Sequence, residues 1–163
     1  MEADGCGDWC VGDLNPGLGL LPLADNKLAM PMLGYARPHK YCRGGEQKLG
    51  QPGFAVWTKG RLAALVADER GGFQTPKIKF EGKQIVLNVQ TTPSGCVRME
   101  LRNEKGEAIE GYRFADCDAI VGDHIGHTVS WRGNTDLSVL SGQDIIMAFE
   151  MHSAKLFSFE FIQ

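Results

Sequence analysis

Residues 96–103 read Cys-Val-Arg-Met-Glu-Leu-Arg-Asn. Val97, Met99 and Leu101 alternate with Arg98, Glu100 and Arg102. Successive side chains of a strand point to opposite sides, so this stretch reads as a β-strand with one wet face and one packed face. The Asn-Glu-Lys-Gly that follows ends in Gly106 and reads as a turn, letting the chain double back through Ala108 and Ile109 as a hairpin.

The same two-residue period recurs outward from there. Ile85, Leu87 and Val89 share a face, as do Ile145, Met147, Phe149 and Met151, and then Phe157, Phe159 and Phe161. Residues 145–151 and 156–162, joined near 152–155, are expected to form the antiparallel pair that ends the chain. Residues 61–67, Arg-Leu-Ala-Ala-Leu-Val-Ala, are apolar on both sides and read as a central strand. Trp57 sits in a strand just before the turn Lys59-Gly60, and Val129 and Trp131 share a face of a short strand. No run of ten or more residues carries helical spacing. Twenty-one glycines and seven prolines break the chain into short segments. The expected fold is therefore all-β: an antiparallel β-sandwich of jelly-roll, concanavalin A-like type. Residues 1–50, apolar but interrupted by Gly and Pro, read as a short N-terminal strand extension, and residues 51–163 as the sandwich domain.

The 163 residues suffice for one domain with a good core. At 43% hydrophobic and 23% charged the composition is that of a globular chain. A net charge of -3 and the absence of a basic run argue against a nucleic-acid partner. No stretch approaches the roughly 18 apolar residues of a membrane span. The acidic start, Met-Glu-Ala-Asp, lacks the basic region of a signal peptide. The five cysteines are odd in number and scattered, which is not a disulfide framework. Cys6 and Cys10 have no second close pair to complete a zinc site.

Chemistry-bearing residues concentrate in residues 106–124, where Asp116, Cys117, Asp118, Asp123 and His124 fall within nine positions. Two carboxylates could serve a glycosidase, but nothing in the sequence raises one pKa above the other. Asp116 is expected to cap a turn, with Cys117 buried. Negative neighbours raise a thiol pKa, so Cys117 is a poor nucleophile. Calcium, held by Asp116, Asp118 and Asp123, is a candidate ligand because hard cations prefer oxygen. His124 and His127 read more simply as loop residues than as a metal pair. Carbohydrate rings stack on exposed aromatics. Tyr41, Tyr112 and Trp131, with His39 nearby, are the candidates for such a platform. Trp57 and Trp131 sit among apolar neighbours that favour the core.

As a set, four stretches carry a resemblance: residues 28–41, 53–76, 94–123 and 137–161. They resemble the end of the propeller and the C-terminal β-sandwich of marine-bacterial glycoside-hydrolase-like proteins related to the levanase and invertase type. The resemblance implies that residues 1–50 correspond to the last propeller blade. It implies no catalysis, because the acidic catalytic residues of such enzymes lie on earlier blades without counterpart here. It implies a non-catalytic accessory domain that packs on a catalytic propeller or weakly binds polysaccharide, and an exported parent protein. Two alternatives remain: a stand-alone carbohydrate-binding module, and a structural domain that self-associates through apolar residues around Met30, Met32 and Leu33.

Overall fold

The computed structural model describes residues 12–36 and 50–163. They are all-β, in two antiparallel sheets that are not closed into a barrel, in keeping with a β-sandwich. The chain divides into two compact units, Met1–Lys59 and Gly60–Gln163.

The first unit is a four-stranded sheet of β1 (Asp13–Pro16), β2 (Leu21–Leu23), β3 (Lys27–Tyr35) and β4 (Gln51–Thr58). β3 is its centre. β4 pairs along one side of β3, and β1 and β2 share the other. Asp25 and Asn26 both adopt φ 55°, the left-handed conformation that a two-residue hairpin requires. These short polar side chains tolerate it better than most residues. Because β4 pairs with β3 from Lys27↔Thr58 to Gly34↔Gln51, it belongs to this unit, and the units part after Lys59 rather than at residue 50.

The second unit contains β5 (Leu65–Gln74), β6 (Ile78–Lys79), β7 (Gln84–Arg102), β8 (Asp123–Thr128) and β9 (Asp144–Ile162), in the sheet order β5-β9-β7-β8 with β6 appended to β9. β7 and β9 are each 19 residues long. They pair from Gln84↔Ile162 to Arg102↔Ile146. The alternation read from sequence lands as expected here. Ile85, Leu87, Val89, Val97, Met99, Leu101, Ile145, Met147 and Phe149 are all buried. Over them lies the excursion between β7 and β9, which contributes Tyr112, Cys117, Ile120, Val129, Trp131, Leu137 and Leu140 to the same core.

Two expectations change. Residues 145–151 and 156–162 are not a hairpin. They are one strand, β9, in which Ser153 takes φ 43° without reversing the chain, and both halves pair with β7. Residues 61–67 are not a central strand. β5 starts at Leu65, pairs only with β9 among the described residues and forms an edge, with Leu65 and Val66 exposed and Ala67 buried.

The expected turn after residue 103 is present. Arg102 bridges Ala108, the Gly106 amide donates to the Asn103 carbonyl, and Gly106 takes φ 83°.

Candidate functional site

The acid-rich stretch closes an edge. Past β8, the free side of β7 is met by this excursion at every second residue. Val97 exchanges hydrogen bonds with Ile120 at 2.9 and 3.0 Å. The Leu101 amide donates to the Tyr112 carbonyl, and the Ile109 amide to the Leu101 carbonyl, both at 2.9 Å. Unpaired backbone groups on a buried edge are costly, so these contacts explain why the chain wraps here.

Each aspartate of the stretch has its own partners. Asp116 pairs with the Arg132 guanidinium at 2.5 Å. Asp118 accepts from the Ser130 hydroxyl at 2.6 Å and from the Gly133 amide at 2.8 Å, and these bonds hold its carboxyl below the ordinary value. Asp123 accepts from Arg61 at 2.5 Å and from Gln90 at 2.9 Å; the Arg61 bond is the main cause of its lowered pKa. A general acid needs a raised pKa, the opposite of what these contacts do to Asp118 and Asp123. Among the described residues no group of three or more His, Cys, Asp or Glu side chains is gathered in a way that could hold a metal ion.

Cys117 is buried, and burial is the largest cause of its raised thiol pKa; the Asp118 charge adds to it. The rings of His124 and His127 lie 4.9 Å apart, and burial followed by the His124 charge pushes the His127 pKa down.

The aromatic platform does not form from Tyr112 and Trp131. They are 8% and 2% exposed, stack edge-to-face at 5.3 Å and belong to the core. The Tyr112 hydroxyl donates to the Asp136 carbonyl at 2.9 Å. Ring faces sealed this way cannot receive a sugar. Tyr41 and His39 lie outside the described residues.

The open concavity lies elsewhere, on the outward face of β5, β9 and β7. Antiparallel register builds it in rows. Arg70, His152 and Cys96 face one another across the three strands, and Gly72, Glu150 and Arg98 form the next row. These residues, with Gly71 and Met151, line a cleft of about 680 Å³. The described ion pairs engage Arg61, Arg102 and Arg132, whereas Arg70 and Arg98 form none among the described residues. A His152 Nδ1–H donates to the Ser94 carbonyl at 3.2 Å, which orients the ring.

Gly72 lets β5 lie close against β9 beside the cleft. A Cβ on Gly72 would come within 2.8 Å of the Phe149 carbonyl oxygen. Arg98 was legible as a wet-face residue, but its neighbours come from β5 and β9, and the period of a strand does not specify its register.

No protein-family model, curated protein or solved structure matches the chain. The cleft and its side chains therefore carry the functional argument on their own.

Proposed function

We propose that the chain is a non-catalytic accessory β-domain of a glycoside-hydrolase-like protein that holds carbohydrate in the β5–β9–β7 cleft. The observation that carries this reading is the cleft itself: it is open, crosses three strands and presents Arg70, Arg98, Glu150 and His152. Guanidinium and carboxylate groups hydrogen-bond in planar, two-pronged fashion, which suits vicinal hydroxyls on a sugar ring. The resemblance of residues 53–76, 94–123 and 137–161 to a glycoside-hydrolase-associated sandwich supports the substrate class. The engaged aspartates of the acid-rich stretch support a role without hydrolysis. Retardation of the purified chain in gels containing soluble polysaccharides tests the reading. Retardation on at least one polymer supports it, and migration unchanged on all of them removes it.

A second reading is favoured by the first unit. Leu21 and Val56 pair with Ala29 from opposite sides, and Phe54 pairs with Pro31, so all three project from one face. Phe54 and Val56 are 63% and 51% exposed. β4 carries no charged side chain and pairs only with β3 among the described residues. An apolar, uncharged edge strand is a template for another strand. Here the chain acts as an interaction domain in which two copies pair antiparallel through β4, setting Phe54 of each beside Val56 of the other.

A further inference from the structure

We propose that the β5–β9–β7 cleft is an anion site, and that the saccharide it takes carries acidic groups, carboxylate or sulfate ester, along its chain. This rests on the carbohydrate reading above and narrows it. Arg70 approaches from β5 and Arg98 from β7, one row apart, on either side of the β9 residues His152 and Glu150. Strands lie about 4.8 Å apart, so the two guanidiniums spring from backbones about 10 Å apart and lean over a shared space. Neither has a carboxylate partner among the described residues, although Glu150 stands directly across from Arg98. Two unneutralised guanidiniums in one concavity repel each other, and an oxyanion between them removes that repulsion. Guanidinium is the side chain best matched to carboxylate and sulfate, because two parallel N–H groups meet two oxygens.

The remaining lining fits a sugar that bears the anion. Glu150 accepts hydroxyl hydrogens and repels a second acidic group placed wrongly. Beside Arg70, Gly71 and Gly72 leave part of the β5 side of the cleft without side chains, giving a ring room to lie against backbone. An open cleft admits an internal segment of a polymer as well as a chain end.

Cys96 supplies a reporter inside the site. Its thiol is partly exposed and lines the cleft, whereas Cys117 is buried with a raised pKa and serves as an internal control. The experiment uses the full chain and four probes: dextran, alginate, dextran sulfate and inorganic sulfate. Gel retardation gives affinity. N-ethylmaleimide labelling, read by peptide mass mapping, gives the protection of Cys96. Arg70→Gln, Arg98→Gln, their combination and the surface control Lys79→Gln are compared, each checked for an unchanged urea midpoint.

The expected result is binding to alginate or dextran sulfate at least tenfold tighter than to dextran. Cys96 labelling slows when the polymer is present. The double variant loses at least tenfold in affinity, and Lys79→Gln loses less than twofold. Equal binding of dextran with Cys96 protected overturns the anion site and leaves the carbohydrate reading intact. Binding of an acidic polymer without protection of Cys96, or with equal loss in Lys79→Gln, is general charge attraction and overturns the site. Protection by inorganic sulfate at the same anion concentration overturns the saccharide as ligand. No binding to any probe removes this proposal and the carbohydrate reading together.

Discussion

The indole N–H of Trp131 donates to the main-chain oxygen of Met99 at 3.0 Å, while the Met99 amide donates to the Cys117 sulfur at 3.3 Å. Two side chains thus take up the edge groups that a neighbouring strand would otherwise satisfy. Cys117 and Trp131 are themselves bridged through their backbones, so the pair acts as one clamp. Trp131→Ala is expected to cost about 3–5 kcal/mol, since it empties a fully buried site. Trp131→Phe keeps most of the volume but leaves the Met99 oxygen without its donor, and is expected to cost about 1–3 kcal/mol. Equilibrium urea unfolding of the two variants measures both, and an undiminished midpoint for Trp131→Phe would show that the hydrogen bond contributes nothing.

Acid is expected to weaken the fold in two stages. The His127 pKa lies below its ordinary value of 6.5 because burial disfavours the charged ring. The unfolded chain then binds the proton more readily, so the stability His127 contributes is complete above pH 6.5 and is lost as the pH falls through its depressed folded value. Asp118, Asp123 and Asp136 are held below the ordinary 3.8 by hydrogen bonds, from Ser130, Arg61 and Ser138 as the largest cause in each case. Their contribution is complete above 3.8 and is lost at lower pH. Thermal midpoints measured from pH 7 to pH 3 should fall in these two windows, and His127→Gln should flatten the first while leaving the second.

Gly95 lies where the β7–β9 register shifts between Thr91 and Cys96. A Cβ there would sit 2.4 Å from the Ser153 carbonyl oxygen and 2.6 Å from that of His152. Both obstacles are backbone, which cannot rotate aside. Gly95→Ala is expected to lower stability by about 1–3 kcal/mol. It should also alter Cys96 labelling, because the bulge sets where Cys96 meets His152. Unchanged stability and labelling would mean that the strands have slack at this point.

Val56→Lys puts a charge at the centre of the uncharged edge strand β4. Where two copies pair through β4, the substituted lysines of the pair would each lie beside a Phe54 and near one another. Light scattering after size exclusion should then report a dimer for the parent chain and a monomer for the variant. A parent chain that is monomeric at high concentration excludes this assembly.

Much of the second unit was legible because its strands are wet on one side. The alternation through Val97, Met99 and Leu101, and through Ile145, Met147 and Phe149, assigns the buried face without knowledge of neighbours. The burial of Val129 and Trp131 followed from the same pattern. What escaped was connectivity. The junction near residues 152–155 looks like a turn in sequence, yet it lies within one continuous strand whose two halves both pair with β7. The cleft was hidden for a related reason. Arg70, Cys96 and His152 come from three separate strands, and only register makes them neighbours. In the acid-rich stretch the density of aspartates suggested a shared task, but Arg132, Ser130 and Arg61 each draw one away.

The full-length pairing of β7 with β9 has a kinetic consequence. The two strands are nearest in sequence at Arg102↔Ile146 and farthest at Gln84↔Ile162. Closing the shorter loop costs less entropy, so zippering should begin at the Arg102 end and run toward the termini of the unit. The excursion that clamps the β7 edge lies inside that first loop, and it can dock as soon as the nearest rungs exist. The Gln84–Ile162 end would close last. Amide exchange would record this as a gradient, slow at Met99 and Phe149 and faster toward Gln84 and Ile162.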